Sequence, residues 1–392
     1  MSCTRNNLCS CGLSCGITIY ILLFACICIT ACAGIRAQSI DEWPGFRGNR
    51  GMTGVSGSVL PEKPEKLWTY EAASGVSSTA AIVGGRVYIG TDSGELLAID
   101  LNRGTSVWKY TAQSGIEASP LVFDNKVFIG DMNGMFHAVN ASDGKPVWKF
   151  QADDKIVSSA NYTEKNVLFG SYDGNLYCRE AEGGKPVWKI ETGMPVHASP
   201  SVGGGYVFTA GCDGFLRFID PAAGKEKKRI DLESYIAASP SYENGHVYTG
   251  TLEGLYACVS INKGNILWKR SGKELGAECY ASPVITEDSA VFASRMKIVF
   301  CLNRTSGKMK WSFRTKGRNE SSPAAAGGRV YFGSHDGTLY CLELKNGRRV
   351  WQFRAGAPIT ASPCIAGSRM VIGTGDGGIY CFGEKKRDSK KK

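Results

Sequence analysis

The 392-residue chain has only four histidines. They stand in separate parts of the sequence, at His137, His197, His246 and His335, so neither a metal cluster nor a Ser-His-Asp set can be argued from them. No Cys-x-x-Cys-His occurs, which excludes covalent c-type haem. No window places apolar residues at i, i+3, i+4 and i+7 over three turns, so a helical solenoid is excluded. Acidic residues are outnumbered 36 to 46 by basic ones, for a formal charge of +10. The basic residues are not interleaved with aromatics, which argues against nucleic-acid binding.

What is present is a repeat. In residues 118–150, ASPLVFDNKVFIGDMNGMFHAVNASDGKPVWKF, four short apolar runs alternate with Gly/Asp/Asn turns, the pattern of a four-stranded antiparallel meander. Its opening hydroxyl recurs at Thr79, Ser119, Ser159, Ser199, Ser239, Ser282, Ser322 and Ser362, every 40 residues with one step of 43. Its last strand carries Trp68, Trp108, Trp148, Trp188, Trp268, Trp311 and Trp351, with Lys228 in the remaining slot. A four-stranded unit of about 40–45 residues is a propeller blade. The spare strand at 66–70 precedes the first unit, and the last unit stops at Ile379–Phe382 without a closing strand. The expectation is an all-β, eight-bladed propeller closed by the N-terminal strand, monomeric and without exposed sheet edges.

The repeated residues have structural explanations. The Trp slot is expected to pack between blades, burying about 150–250 Å² per ring. The turns Asp173-Gly174, Asp213-Gly214, Asp336-Gly337 and Asp376-Gly377 suit tight hairpins. One acid per turn is too few for calcium, so no metal site is expected. Seven of the fifteen cysteines lie in the first 37 residues. Five others, Cys178, Cys258, Cys301, Cys341 and Cys381, share one third-strand slot that elsewhere holds Ala98, Ala138 and Phe218. Equivalent slots on neighbouring blades stand about 10 Å apart, beyond the roughly 7 Å reach of a disulfide. These thiols are expected to be unpaired small hydrophobes.

Residues 1–37 are read as a targeting segment. A 21-residue apolar stretch, Leu13 to Ala33, contains Ile29-Thr30-Ala31-Cys32, which matches a lipobox with Cys32 as the acylated residue. Cleavage after Ala37, or retention as an uncleaved anchor, are the alternatives. All three place the ring outside the cytoplasm, attached to a membrane in the first and last cases. Residues 38–61 are expected to be a Gly-rich linker and 62–383 the propeller. Residues 384–392, with six basic and two acidic side chains, are expected to be a solvated tail.

In a meander, the loop entering strand one and the turn joining strands two and three lie at the same end. Blade six departs from the repeat in both places, with three extra residues before Pro283 and the turn Ser294-Arg295-Met296-Lys297. The most varied positions of the repeat fall on that same face. Candidate partner-binding residues there are Glu117, Tyr172, His197, Tyr280, Arg295, Lys297, Glu320 and His335. No catalytic residue is assigned.

The recurring SP, VYxG, DGxLYxxD/N and GxxxW elements resemble the PQQ-like (pyrroloquinoline quinone) eight-bladed repeat over residues 66–383. Trp43-Pro44-Gly45-Phe46-Arg47-Gly48 also looks like the segment before such propellers in exported bacterial proteins. Lipobox plus propeller is similar to the BamB-like lipoproteins, which implies a cofactor-free scaffold binding an envelope protein or polymer through one loop face. The resemblance also implies an alternative, a PQQ-dependent oxidoreductase with calcium, for which Glu117 and Glu320 are the candidate acids near the cation. Such enzymes often place an adjacent-cysteine disulfide against the cofactor, and no Cys-Cys pair exists here. A third alternative is a carbohydrate or polymer sensor stacking sugars on Tyr172, Tyr280 and Arg295.

Overall fold

Short apolar runs punctuated by glycine turns fold, in a computed structural model that describes residues 42–385, into eight four-stranded antiparallel sheets. Seven sheets take four consecutive strands each. The eighth joins Cys364–Ala366, Arg369–Gly373 and Gly378–Gly383 to Glu65–Glu71, with Lys66 opposite Phe382 and Tyr70 opposite Ile379. The ring is therefore closed by the expected strand, one residue longer at each end. The expected targeting segment, with Cys32, and most of the basic tail lie outside the described residues. Among the described residues no helix is long and apolar enough to cross a membrane.

Burial explains the sequence pattern. The second and third strands of a blade, such as Lys126–Gly130 and Met135–Asn140, are buried on both faces and so read as continuous apolar runs. The fourth strand, Pro146–Gln151, is the outer one and alternates half-buried with exposed residues. Apolar clusters lie between sheets: Tyr248 and Trp268 of blade five pack with Phe292 and Phe300 of blade six.

The tryptophans clamp neighbouring blades. The Trp108 indole donates its Nε1–H to the Ala141 carbonyl of the next blade at 3.1 Å, and Trp148 repeats this with Ala181. Trp108 also lies on Gly144, which has φ 73°, and a Cβ there would come within 2.6 Å of the indole. Glycine is required both by the left-handed turn and by the approach of the ring.

The cysteine slot is explained by the same clamp. Cys258 sits directly opposite Trp268, Cys301 opposite Trp311 and Ala98 opposite Trp108. The indole crosses over this small residue to reach an aromatic on the second strand, as Trp108 reaches Tyr88 at 5.8 Å and Trp268 reaches Tyr248 at 6.1 Å. In blade four both partners change: Phe218 stands opposite Lys228 and stacks edge-on against Phe208 at 5.1 Å. The ring has moved from the fourth strand to the third. All eight described cysteines are free, and seven of them are buried. Burial pushes the Cys178 and Cys258 thiols up to about 12.

The described part of the expected linker is packed structure. Trp43, Arg47 and Met52 are each 1% exposed. The segment runs around the inside of the ring as a strap against the innermost strands. The Pro44 carbonyl accepts from the Val122 amide at 2.7 Å, and the Arg50 carbonyl from Val202 at 2.7 Å. The Gly51 and Thr53 carbonyls accept from Tyr242 (2.7 Å) and Ile285 (2.9 Å), and the Gly54 carbonyl from Ala325 (2.8 Å). The glycines of this segment permit close approach, since a Cβ on Gly51 would lie 2.5 Å from the Tyr242 carbonyl oxygen.

Candidate functional site

The loop face is built by one hydrogen bond repeated in every blade. The amide at the varied turn position donates to a carbonyl of the loop entering the same blade: Met132 to Gly115 at 3.0 Å, Arg295 to Glu278 at 3.2 Å, His335 to Arg318 at 2.9 Å. This brings the two irregular segments of blade six side by side, as the meander geometry predicts.

Below the loops lies a circle of hydroxyl groups. The Ser119 amide donates to the Ser159 hydroxyl oxygen at 2.9 Å, Ser159 to Ser199 at 2.8 Å and Ser199 to Ser239 at 2.9 Å. The step across the longer loop, Ser239 to Ser282, is 3.0 Å, and Ser362 to Thr79 closes the circle at 3.0 Å. The opening hydroxyl is thus repeated because it satisfies a buried amide of the preceding blade. The circle walls a central funnel of about 140 Å³, whose lining includes Glu117, His197, Tyr280, Glu320 and Phe46 of the strap.

Six of the eight candidate residues join in one arc along blades three to seven. The Tyr172 hydroxyl and His197 Nδ1 are 2.7 Å apart. His197 meets Tyr280 edge to face at 6.2 Å, past the small Ala237 of blade five. The Arg295 guanidinium lies over the Tyr280 ring at 3.6 Å, and its Nε is 2.6 Å from Glu320. Glu320 also pairs with His335 at 3.1 Å. At the other end the Lys155 ammonium sits over Tyr172 at 4.4 Å. Burial holds the His197 imidazole down to about 4, with Lys155 and Arg295 adding to the effect. Burial pushes Tyr172 up to about 12. The arc is therefore a fixed array of neutral aromatics and one Arg–Glu–His cluster.

The other two candidates stand apart. Glu117 lines the funnel but is exposed; burial of part of its carboxyl, then Asp92, raise it, while Lys155 opposes them. Lys297 occupies the blade-six turn at φ 64° and is exposed. His137 lies off this face, satisfied between Asp131 (3.0 Å) and Tyr110 (2.9 Å). His246 is half-buried beside Tyr248.

Several contributors were not singled out from the sequence. Lys155 sits one residue from a loop position that reads as ordinary solvent-facing charge. Phe46 and Arg47 belong to a segment whose glycines recur every third residue, Gly45, Gly48, Gly51, Gly54 and Gly57; that period was the available signal for an ordered strap. Met194, Tyr235 and Met296 are large apolar side chains exposed by 42%, 54% and 53%. All three lie on the loop face, on the adjacent blades four, five and six. No periodicity marks them, because each occupies a different loop slot.

The fold and this face define an eight-bladed propeller of the PQQ-like type. The family model of the β-propeller of beta-alanine-activating enzyme matches residues 72–326, more than half of the chain, and the chain belongs to that propeller family. A search of curated proteins finds no match. Among solved structures, BamB from Moraxella catarrhalis is similar with a TM-score of 0.72 at 17% identity, over 83% of this chain and 98% of that one. Quinohemoprotein alcohol dehydrogenase from Comamonas testosteroni gives a TM-score of 0.77 at 14% identity, over 90% of this chain and 82% of that one. The computationally designed protein Ika8 gives 0.73 at 16% identity, over 82% and 100%. At these identities the likeness is one of fold.

Proposed function

We propose that the chain is an exported, non-catalytic propeller that docks a protein of the cell envelope on its loop face. The observation that carries this is the rigid Tyr172–His197–Tyr280–Arg295 array beside exposed Met194, Tyr235 and Met296. Aromatic and arginine side chains supply most of the energy in protein interfaces, provided they are held in place. Here stacking and ion pairing hold them before any partner arrives, which lowers the entropy cost of binding. The BamB likeness is consistent with such a scaffold.

The quinoprotein alternative draws less support. A funnel of about 140 Å³ is below the roughly 300 Å³ of the smallest usual cofactor pockets. Calcium takes six to eight oxygen ligands. Glu320 is already engaged by Arg295 and His335, and among the described residues no group of three potential ligands converges. The funnel as built does not fit PQQ with calcium. Sugar stacking is disfavoured because the Tyr172 and Tyr280 rings each already carry a cation.

Attachment to a membrane through the segment that includes Cys32 belongs to the same proposal. Palmitate labelling that is lost in Cys32→Ser supports lipidation; unchanged labelling rejects it. For docking, the test is quantitative capture of crosslinked envelope proteins by the wild type and by a Tyr280→Ala/Met296→Asp variant. Selective loss of a captured protein, with the melting temperature unchanged, is the expected result. Identical capture rejects the proposal, and dye reduction on adding PQQ and calcium would favour the enzyme.

A further inference from the structure

Exposed side chains follow an ordered series around the loop face. Met194, in the loop entering blade four, stands beside the turn of blade three, where a Cβ on Gly174 would lie 3.5 Å from its carbonyl oxygen. Tyr235 stands at the turn of blade five, its carbonyl accepting from the Leu252 amide at 2.9 Å. Met296 lies in the turn of blade six. All three side chains are exposed, and Tyr235 is about midway between the methionines in blade order.

The charges continue the series outward. On the Met194 side, exposed Asp153 and Asp154 lie between the turns of blades two and three. Their loop is held at both ends, by the Ala152 amide donating to Gly134 (2.9 Å) and the Tyr172 amide donating to Lys155 (3.0 Å). On the Met296 side, exposed Lys316 and Arg318 lie between the turns of blades six and seven. The Thr315 amide donates to Lys297 at 3.0 Å, and the His335 amide to Arg318 at 2.9 Å. Among the described residues no ion pair engages any of these four charges. The series reads acid, Met, Tyr, Met, base.

That order is complementary to itself. A two-fold axis sets residue i against residue j and j against i. With the axis through Tyr235, Met194 meets Met296 of a second copy. The acids of blade three then meet the bases of blade seven, at both ends of the contact. We propose that the loop face closes on the loop face of a second copy of this chain, around a two-fold axis through Tyr235. The apolar residues are buried at its centre, and the opposite charges fix the register. The pair inclines toward blades three to seven, which leaves exposed Asp92 and Asp376 of blades one and eight facing water. Glu233 and Glu253 beside the axis oppose the contact, and Lys269, 4.0 Å from Glu233, offsets part of that. No sheet edge is used, so each ring stays sealed as in the expected monomer. The second copy covers the face assigned above to an envelope protein, so pairing and docking exclude each other. Pairing itself needs no envelope partner.

The test is sedimentation equilibrium of the purified full chain in density-matched detergent. No envelope protein is present, so failure here leaves the capture experiment as it stands. The expected result is a monomer–dimer equilibrium with a Kd below about 100 μM, weakening as salt rises. Asp153→Lys/Asp154→Lys and Lys316→Asp/Arg318→Asp should each weaken it by about tenfold or more, because each sets like charges together at both ends. Their equimolar mixture should recover the association as a heterodimer, since the reversed acids of one chain then meet the reversed bases of the other. Should either reversal fail to fold, Tyr235→Arg sets two cations on the axis and should also give monomer. A wild type that stays monomeric at that concentration overturns the proposal. So does a mixture without heterodimer, or a dimer that Tyr235→Arg leaves undiminished.

Discussion

Blade four allows the interblade clamp to be rebuilt. Phe218 is 2% exposed and packs against Phe208 at 5.1 Å and Tyr206 at 5.8 Å. Phe218→Ala should cost about 3–4 kcal/mol, the usual loss for a buried ring. Lys228→Trp alone should cost about 1–3 kcal/mol, because its indole is directed across a position that Phe218 still fills. Made together, the two changes recreate the small-residue-under-indole pair of the other blades. The seat is already present: Gly264 of the next blade has φ 61° and would place a Cβ 2.0 Å from the Lys228 ammonium nitrogen. An acceptor is also in place, since the indoles of Trp108, Trp148 and Trp188 each donate to a carbonyl 33 residues on, and Ile261 occupies that position. The double variant should lie within about 1 kcal/mol of the wild type, a coupling of roughly 3 kcal/mol or more. Urea unfolding reads this as midpoints at constant slope. Additivity of the two single effects within about 0.5 kcal/mol would refute the size-exchange argument.

Other consequences can be measured. Ser239→Ala leaves the buried Ser199 amide without its acceptor and should cost about 1–3 kcal/mol, with faster hydrogen exchange at that amide as the specific sign. His197 has its folded pKa held down to about 4 against about 6.5 when unfolded. The unfolded chain then binds more protons between those values, so stability is present above pH 6.5 and falls by about 2 kcal/mol as pH drops toward 4; His197→Gln should flatten that part of the profile. Of the eight described cysteines, Cys212 alone is not fully buried, so a thiol reagent should label it first in the native protein, and the other seven should react only on unfolding. Arg295→Ala removes the cation from Tyr280 and one partner from Glu320; it should weaken partner capture more than it lowers the melting temperature.

The ring was legible because every blade faces the same packing demand. A hydroxyl every 40 residues and a Trp in seven of eight outer strands are signs of one contact made repeatedly. Strand closure followed from the missing fourth strand after Ile379–Phe382. The candidate face was legible as a location, since two loops at one end of a meander must be neighbours. Its contacts were less so. That Tyr280, Arg295, Glu320 and His335 form one cluster depends on side-chain directions in blades six and seven, which no spacing encodes. The packing of the strap was not legible for a physical reason: glycines that let a chain pass close to a carbonyl look, as composition, like those of any Gly-rich linker. Arg47 was passed over because a single arginine in a polar stretch carries no sign of burial.

Closure through the strand Glu65–Glu71 has a kinetic consequence. Its register partners, Gly378–Gly383, are about three hundred positions away along the chain, and contacts at such separations form slowly. Seven sheets can assemble from neighbouring segments into an open crescent, while the eighth waits for the two ends to meet. Until they do, the outer edge of Gly378–Gly383 is an unpaired strand, available to any extended peptide nearby. A free peptide matching residues 65–71, present during refolding, should compete for that edge and trap the unsealed form.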